Sequence, residues 1–220
     1  MNALRLIFFE VFIQTPTAII TLVRELGVLR ALAVAWHFAM VSFYYNPFKI
    51  LLKTRLAEHE RFSRRQLKPV LLLERALELH GVPAERRIAI LGKVIAAAGT
   101  KFAALNAVIP NHAAWQTMPS AKRHGHIRKL LARFGSPEAE IVDASDDAMA
   151  FHITACYFVR QLNALGKPEL AGLFCDADDD FFASSNLPIA FERPHTIARG
   201  HAHCDFRFRY VDKESATHND

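Results

Sequence analysis

The chain has 220 residues, of which 51% are hydrophobic and 22% charged, a balance typical of a globular protein and not of a disordered one. Its length suits one sizeable domain, or one domain with an appendage. The net charge of +5 is unevenly spread, since residues 1–135 carry 20 Lys and Arg against 7 Asp and Glu, whereas residues 136–220 carry 7 against 15. We therefore expect a basic helical half followed by an acidic mixed half.

The cysteines and the first residues bear on where the protein works. Three cysteines form an odd and sparse set, which does not favour a secreted disulfide framework, so a reducing, cytoplasmic compartment is expected. The apolar opening segment is interrupted by Glu10, has only Arg5 as a positive region, and lacks a small-residue cleavage site. A secretory signal peptide is therefore not predicted.

Residues 1–46 are predicted to form apolar N-terminal helices. Thr15 as a cap, Pro16 at the first position and Gly27 as a stop predict one helix. The segment from Gly27 to Tyr45 is long enough to cross a bilayer, but it contains Arg30, Trp36 and His37. A buried helix, or one in the membrane interface, is favoured over a true span, which makes peripheral membrane contact or a homodimer the open alternatives for this segment.

Residues 47–136 are predicted to be a helical region. Asn46 and Pro47 are expected to open a basic amphipathic helix, followed by a second helix over residues 67–81 and a long one from Pro83 to Pro110. Residues 120–135 predict a helix with five Lys and Arg and no acid. No aromatic platform, zinc spacing or recognition signature accompanies it, so a solvated face, or one that answers the acidic half, is favoured over nucleic-acid binding.

Residues 137–212 are predicted to carry the functional site, with residues 213–220 as a frayed tail. Strands are expected at 139–142 and 148–156, then a short helix to Gly166 and another helix from Pro168. Residues 189–200 and 203–212 alternate as strands of an antiparallel hairpin around a turn at Gly200 to His203. The predicted fold class is α+β, with a helical N-terminal part packed on a C-terminal domain that has a small antiparallel sheet, and a pocket between them.

The stretch LFCDADDDFF, residues 173–182, crowds carboxylates into an apolar surround. On a helix, Cys175 and Asp179 are one turn apart, as are Asp176 and Asp180. Crowded carboxylates that become buried have raised pKa values, which is a route to a general acid or base. A solvated helix face and a metal cradle are the competing interpretations. We expect one inward carboxylate, with Asp179 the best candidate.

The turn RGHAHCDFRFRY adds His201, His203 and Cys204, followed by Arg207 and Arg209. Histidine, cysteine and aspartate are zinc ligands, yet no C-x-x-C or H-E-x-x-H spacing occurs, so a metal such as zinc would need ligands from distant segments. Cys204 and His203 are the candidate metal ligands.

Aspartates beside Cys175 raise the pKa of a thiol, which makes an isolated thiolate nucleophile there unfavourable without a cation.

The run from Cys156 to Phe208 contains a set of spaced motifs. They are Cys156 at a predicted strand end, an LG-PEL turn at Leu165 to Leu170, an FC-x-x-D helix at Phe174 to Asp179, an R-x-x-T-x-A-x-G strand at Arg193 to Gly200, and a closing C-D-F-R at Cys204 to Arg207. With these motifs the run resembles the L-2-amino-thiazoline-4-carboxylic acid hydrolase family. Helices from Leu67 onward match more weakly, and the first 45 residues do not match. The sequence departs from the pattern at Pro194 and His195 and at the His201 to His203 turn.

This resemblance implies ring-opening hydrolysis of a small cyclic amidine at a non-peptide carbon–nitrogen or carbon–sulfur bond. It implies Asp179 or Asp176 as base or acid, and Arg193 or Arg207, together with Thr196, as substrate-binding residues. Cys156, Cys175 and Cys204 would line the site as nucleophile or as metal ligands. The same final segment also resembles the small-molecule-binding 4-vinyl-reductase type of domain. That alternative implies a ligand-binding module without chemistry, tethered to a membrane or partner through residues 1–45.

Overall fold

The computed structural model describes residues 7–51, 56–135 and 138–211. The chain forms two compact units, one from residues 1–102 and 157–178, the other from residues 103–156 and 179–220. The described part of the first unit is helical, and that of the second holds a four-stranded antiparallel sheet with helices, so the fold is α+β as predicted. The expected frayed tail, residues 213–220, lies outside the described residues.

In the first unit, two helices follow each other at the N-terminus and meet at a glycine. Helix α1 (Thr15–Leu26) continues a π-helical stretch (Glu10–Gln14), and α2 (Val28–Tyr44) follows at once. Gly27 separates them with a φ of 77°, a conformation that glycine adopts at no steric cost, so the predicted stop is confirmed. Thr15 as a cap was wrong, because the helix already runs through it and its Oγ1 donates to the carbonyl of Glu10 at 2.8 Å.

The next two helices, α3 (Glu58–Leu79) and α4 (Ala84–Asn106), are long. The predicted start at Asn46 and Pro47 was wrong, because residues 47–48 form a turn and Lys49–Leu51 a 3₁₀ turn, while residues 52–55 lie outside the described part. The two helices predicted before Pro83 are one, with Pro69 inside α3. The lost backbone hydrogen bond at Pro69 is offset by burial of Leu67, Val70 and Leu71 around it.

Two helices precede the sheet, and the sequence analysis did not predict the first of them. Helix α5 (His112–Gln116) is capped by Asn111, whose Oδ1 accepts from the amide of Ala114 at 2.8 Å. Helix α6 (Ser120–Arg133) corresponds to the predicted basic helix. Its Arg123 is buried and its guanidinium bonds the carbonyls of Trp115 and Gln116 and pairs with Asp146 at 2.6 Å. Arg123 of the basic helix therefore forms an ion pair with the acidic half of the same chain.

The sheet consists of β1 (Ala139–Asp143), β2 (Ala148–Ile153), β3 (Ile189–Glu192) and β4 (Cys204–Tyr210), in the order β1-β2-β4-β3. All neighbours are antiparallel, and β3 pairs with β4 as predicted. The predicted extension of β3 to Gly200 was wrong, because the strand ends at Glu192 and a loop with a 3₁₀ turn (Ile197–Arg199) leads to β4. Strand β2 is shorter than predicted, because it ends at Ile153 and residues 154–156 form a loop. Helices α7 (Tyr157–Ala164) and α8 (Ala171–Ser184) lie between β2 and β3 in the chain, with a 3₁₀ turn (Pro168–Leu170) before α8.

Alternation along the strands gives the sheet two unlike faces. The helix face, defined by Met149, Phe151 and Phe208, packs with Trp115 and Ile127 from α5 and α6 into one core. The outer face carries the residues in between, among them Ala150, His152, Asp205 and Arg207. A polar cluster can therefore form on the outer face without disturbing the core.

Within the described part of the chain, three helical segments are long and apolar enough to cross a membrane. They are Ile7–Leu26, Val28–Leu51 and Ala84–Asn106. The two N-terminal segments are buried over only 17% of their most apolar windows, against 33% for the third. The apolar surface of the first unit is thus concentrated at the N-terminal helices.

Candidate functional site

The outer face of the sheet holds a nearly buried carboxylate surrounded by cationic and imidazole groups. We name His152, His195, His203, Asp205 and Arg207 the Asp205 cluster. The side chain of Asp205 is 2% exposed, and Arg207 donates to it twice, from Nε to Oδ1 at 3.0 Å and from Nη2 to Oδ2 at 2.5 Å. Oδ1 is 3.5 Å from Nε2 of His152, and Oδ2 is 3.7 Å from Nδ1 of His195.

Strand pairing and one loop bring these side chains together. His152 on β2 is the register partner of Asp205 on β4. The loop after β3 brings in His195, whose carbonyl accepts from the amide of Asp205 at 3.1 Å. The chain then turns at Gly200, which has a φ of 90°, and returns with His203 just before β4. The ring of His203 stacks on that of His152 at a centroid distance of 3.9 Å.

The electrostatics of the cluster keep Asp205 ionised. Burial by itself raises the pKa of Asp205, but the hydrogen bonds and charge of Arg207, with smaller contributions from His152 and His195, leave that pKa below its usual value. The hydrogen bonds and the charge of Asp205 in turn raise the pKa of Arg207. A carboxylate held in this way can orient neighbouring imidazoles and stabilise positive charge on them.

Three members of the cluster are close enough together to share one metal ion. One ligand atom each from His152, His203 and Asp205 lies within 4.8 Å of the other two. His203 is a sequence-predicted ligand, and Cys204 is not in this group within the part of the chain that the structure describes. Strand alternation turns Cys204 away from Asp205, and its sulfur accepts from the amide of Ile197 at 3.3 Å.

The aspartate helix contributes a different pair. Asp179 on α8 accepts from Nη2 of Arg193 at 2.7 Å, which joins two sequence-predicted site residues. Asp179, the predicted inward carboxylate, has a side chain that is 41% exposed, whereas the Arg193 side chain is 1% exposed. The guanidinium lies over the rings of Phe191 and Phe206 at 5.7 and 5.0 Å from their centroids. Cation–π contact and the ion pair together stabilise this buried charge.

Thr196, also predicted to bind substrate, is fully buried in the loop between β3 and β4. Its carbonyl accepts from the amides of Arg199 and His201, both at 3.1 Å. Its hydroxyl has no hydrogen-bond partner among the described residues. A buried hydroxyl in this state costs free energy unless another group reaches it, so Thr196 is a candidate contact for a bound molecule.

The other predicted catalytic residues occupy separate places. Cys175 and Asp176 lie on the part of α8 that belongs to the first unit, Cys175 half-buried and Asp176 exposed. Cys156 is half-buried in the loop between β2 and α7, in the second unit. Their assigned roles stay predictions.

Sequence reasoning missed Asp205, His152 and His195 as members of one cluster. The signal was present in part, because His152 and Asp205 fall on the polar phase of two alternating strands. Alternation shows which face a residue occupies and does not show which strand is its neighbour. Only the pairing of β2 with β4 places His152 opposite Asp205.

Comparison with known proteins gives one result for the chain. The family model described as L-2-amino-thiazoline-4-carboxylic acid hydrolase matches residues 72–208, which is more than half of the sequence and includes the Asp205 cluster, Asp179 and Arg193. No curated protein and no solved structure gave a significant match. The chain belongs to the L-2-amino-thiazoline-4-carboxylic acid hydrolase family.

Proposed function

We propose that the protein is a hydrolase that opens the ring of a small cyclic amidine carrying a carboxylate, and that the reaction takes place at the Asp205 cluster. The observation that carries the proposal is a carboxylate only 2% exposed that is bonded to Arg207 and approached by the imidazoles of His152 and His195. Family membership supports the reaction class, since the family is named for the hydrolysis of such a ring.

The reaction consumes one water molecule. Its oxygen attaches to the ring carbon that lies between sulfur and nitrogen, a base takes up the proton that the water loses, and one ring bond to that carbon breaks. The departing nitrogen or sulfur takes up a proton, which gives a carbamoyl-cysteine from 2-amino-thiazoline-4-carboxylate. The step therefore needs a base, an acid and a cation for the carboxylate.

The Asp205 cluster offers groups for each of these needs. Its imidazoles can accept and return protons, and Asp205 stabilises the imidazolium that forms. Arg207 is 54% exposed and uses Nε and Nη2 for Asp205, so the other edge of its guanidinium is accessible to a substrate carboxylate. The planar fork of arginine suits that anion.

The proposal gives the Asp179–Arg193 pair a supporting role. Because the Arg193 side chain is 1% exposed, it is less accessible to a substrate carboxylate than Arg207 at 54%. Its charge is already balanced by Asp179 and by two aromatic rings. We propose that this pair fixes the loop after β3, which in turn carries His195 and Thr196. The cytoplasmic location expected from the cysteines stays a prediction.

The test is direct. Purified full-length protein is incubated with 2-amino-thiazoline-4-carboxylate, and the carbamoyl-cysteine product is measured by chromatography and mass spectrometry. Catalytic turnover above the uncatalysed rate, lost in a D205N variant, supports the proposal. Saturable binding of the compound without turnover would instead support the alternative of a ligand-binding module. The absence of both binding and turnover would rule out this substrate class.

A further inference from the structure

We propose that His152, His203 and Asp205 form a binding site for a divalent transition metal such as zinc. The inference deepens the proposed function and rests on it, because the metal would lie at the reacting centre. Two imidazoles and one carboxylate are a typical set of three protein ligands for catalytic zinc, which leaves the fourth position to water.

The geometry is near to that of a bound state. Ligand atoms about 2.1 Å from a tetrahedral zinc ion are separated by roughly 3.4 Å from each other. The three atoms lie within 4.8 Å of one another, and Nε2 of His152 is already 3.5 Å from Oδ1 of Asp205. Small side-chain rotations, chiefly of the loop residue His203, would complete the site.

The surrounding side chains fit a supporting role. Arg207 binds both oxygens of Asp205, as partners outside a metal's own ligands commonly do for a ligating carboxylate. His195, with Nδ1 3.7 Å from Oδ2 of Asp205, is outside the three ligands and would serve as a base beside the metal. The cluster thus separates metal binding from proton transfer.

Metal binding is tested without substrate, so that its failure is distinguishable from failure of the proposed function. Full-length protein, freed of any histidine tag and treated with a chelator, is titrated with Zn²⁺ and Mn²⁺ by calorimetry. We expect one equivalent of metal to bind, and affinity to fall at least tenfold in H152A and in H203A. H124A, which changes a half-buried histidine on α6 outside the Asp205 cluster, is the matched control and should bind like the wild type.

Each outcome decides between the two proposals. Absence of binding in the wild type, or unchanged affinity in both H152A and H203A, overturns the metal site. Hydrolysis by chelator-treated, metal-free protein at the full rate also overturns it and leaves the proposed function standing. Binding with the expected pattern, but no hydrolysis of any cyclic amidine with metal restored, keeps the site and removes the proposed function.

A second inference comes from an independent observation. We infer that α1 and α2 attach the protein to an anionic lipid surface, with the helices lying in the plane of the membrane interface. Residues 7–50 hold most of the exposed large apolar side chains of the described chain. On α2 they repeat at helical spacing and form one stripe: Leu29 84%, Leu32 62%, Trp36 67%, Met40 43% and Phe43 89% exposed.

The opposite sides of these helices are occupied by the first unit itself. On α2, Ala31, Val34 and Val41 are buried. The N-terminal helix is held by polar contacts two turns apart along one side, from Arg65 to Glu10 at 2.6 Å, from Lys101 to Thr17 at 2.8 Å and from Lys93 to Glu25 at 2.5 Å. A helix tied along its length to charged side chains of α3 and α4 is better suited to the interface than to the hydrocarbon core.

The exposed charge of this surface favours anionic lipid. Arg24, Arg30 and Lys49 are exposed, whereas both acids of residues 7–51, Glu10 and Glu25, pair with basic side chains of α3 and α4. Basic residues beside an interfacial helix are attracted to the negative surface of an anionic leaflet. Trp36 within the apolar stripe is a residue type enriched at membrane interfaces.

Flotation with vesicles tests this attachment on the full-length protein. We expect binding to vesicles of phosphatidylcholine mixed with phosphatidylglycerol, several-fold stronger than to phosphatidylcholine alone, and at least tenfold weaker in a W36S/F43S double variant. V142S, which replaces an exposed apolar residue near the sheet, is the control and should bind normally. Quenching of Trp36 by shallow, not deep, brominated lipid, read against a W36F variant, would support the in-plane position.

Two results contradict the lipid assignment. A detergent-free, monodisperse monomer that does not bind either vesicle removes it. A homodimer that W36S/F43S dissociates, with no vesicle binding in either form, assigns the same apolar stripe to a second copy of the chain. Deep quenching of Trp36 would overturn the in-plane arrangement in favour of a span.

Discussion

Asp205 and His152 are register partners on β4 and β2, with the carboxylate Oδ1 3.5 Å from the imidazole Nε2 on the outer face of the sheet. On the opposite face, the neighbouring positions Phe151 and Phe206 pack in the core. The strand pair therefore holds the two polar groups together on a rigid support, which is the arrangement that catalytic and metal-binding side chains require.

We expect substitution of His152 to remove activity without loss of fold. In H152Q the imidazole is absent, whereas the half-buried position on the outer face tolerates an amide of similar length. The predicted decrease in kcat is about 10²-fold or more, the usual contribution of a positioned acid–base or ligand group. Steady-state kinetics and circular dichroism check it, and near-normal kcat in folded H152Q would place the chemistry elsewhere.

The Asp179–Arg193 pair predicts an asymmetry in stability. D179N removes the Asp179 carboxylate from a guanidinium that is 1% exposed, whereas R193M leaves a carboxylate that is 41% exposed to water and fills the space over Phe191 and Phe206 with an apolar chain. We expect D179N to lower the free energy of unfolding by about 2 kcal/mol and R193M by about 1 kcal/mol or less.

Urea denaturation of both variants measures this asymmetry. D180N, which changes an exposed aspartate one position further along α8, is the control and should be nearly neutral. If R193M lowers the free energy of unfolding more than D179N does, removal of the carboxylate from the buried guanidinium is not the more destabilising change. If D179N abolishes hydrolysis without affecting stability, Asp179 acts in the reaction as the sequence alone indicated.

Acid stability should depend on Asp205. Because the pKa of Asp205 is lowered in the folded protein, its ionised form stabilises the fold above the usual aspartate pKa of about 3.9, and this contribution is lost as the pH falls through the folded value. Wild type should therefore be more stable than D205N near neutrality, with the difference shrinking below about pH 4. Urea midpoints measured across this range test the sign. A difference that grows on acidification would mean that the carboxylate is held in its protonated form.

Two helical glycines predict opposite effects of the same substitution. A Cβ at Gly99 on α4 would lie 2.8 Å from Cβ of Ala177 on α8, whereas at Gly125 on α6 it would meet nothing within 4 Å. G99A should destabilise by about 1–3 kcal/mol because the helices must separate. G125A should stabilise by about 0.5–1 kcal/mol because alanine favours the helix. Thermal unfolding of both variants checks the pair, and stabilisation by both would show that α4 and α8 are not in close contact.

The local pattern of the sequence predicts much of this fold. Gly27, Pro83 and the alternation of residues 204–210 mark boundaries whose causes are local, and the structure confirms them. The sequence predictions were wrong where the surrounding structure overrides the signal of a single residue. Pro69 stays inside α3 because the surrounding leucines are buried, and Thr15 does not cap a helix because the chain is already helical before it.

The candidate site was predictable only in part. Asp179, Arg193, Thr196, His203 and Arg207 stand out by their types and motif positions, and the structure places them on α8, on β4 and in the loop between β3 and β4. The position of His152 opposite Asp205 depends on the β2–β4 pairing, between segments about fifty residues apart in the sequence. Since no local signal fixes such a register, the Asp205 cluster could be recognised only in three dimensions.

The most direct test of the account compares wild type, D205N and D180N in the hydrolysis of 2-amino-thiazoline-4-carboxylate under the same conditions, with circular dichroism to establish that each variant is folded. The account predicts turnover by wild type and D180N, and a decrease in kcat/KM of about 10²-fold or more in folded D205N. Equal kcat/KM in all three proteins would contradict it, because the reaction would then proceed without the carboxylate at the centre of the cluster.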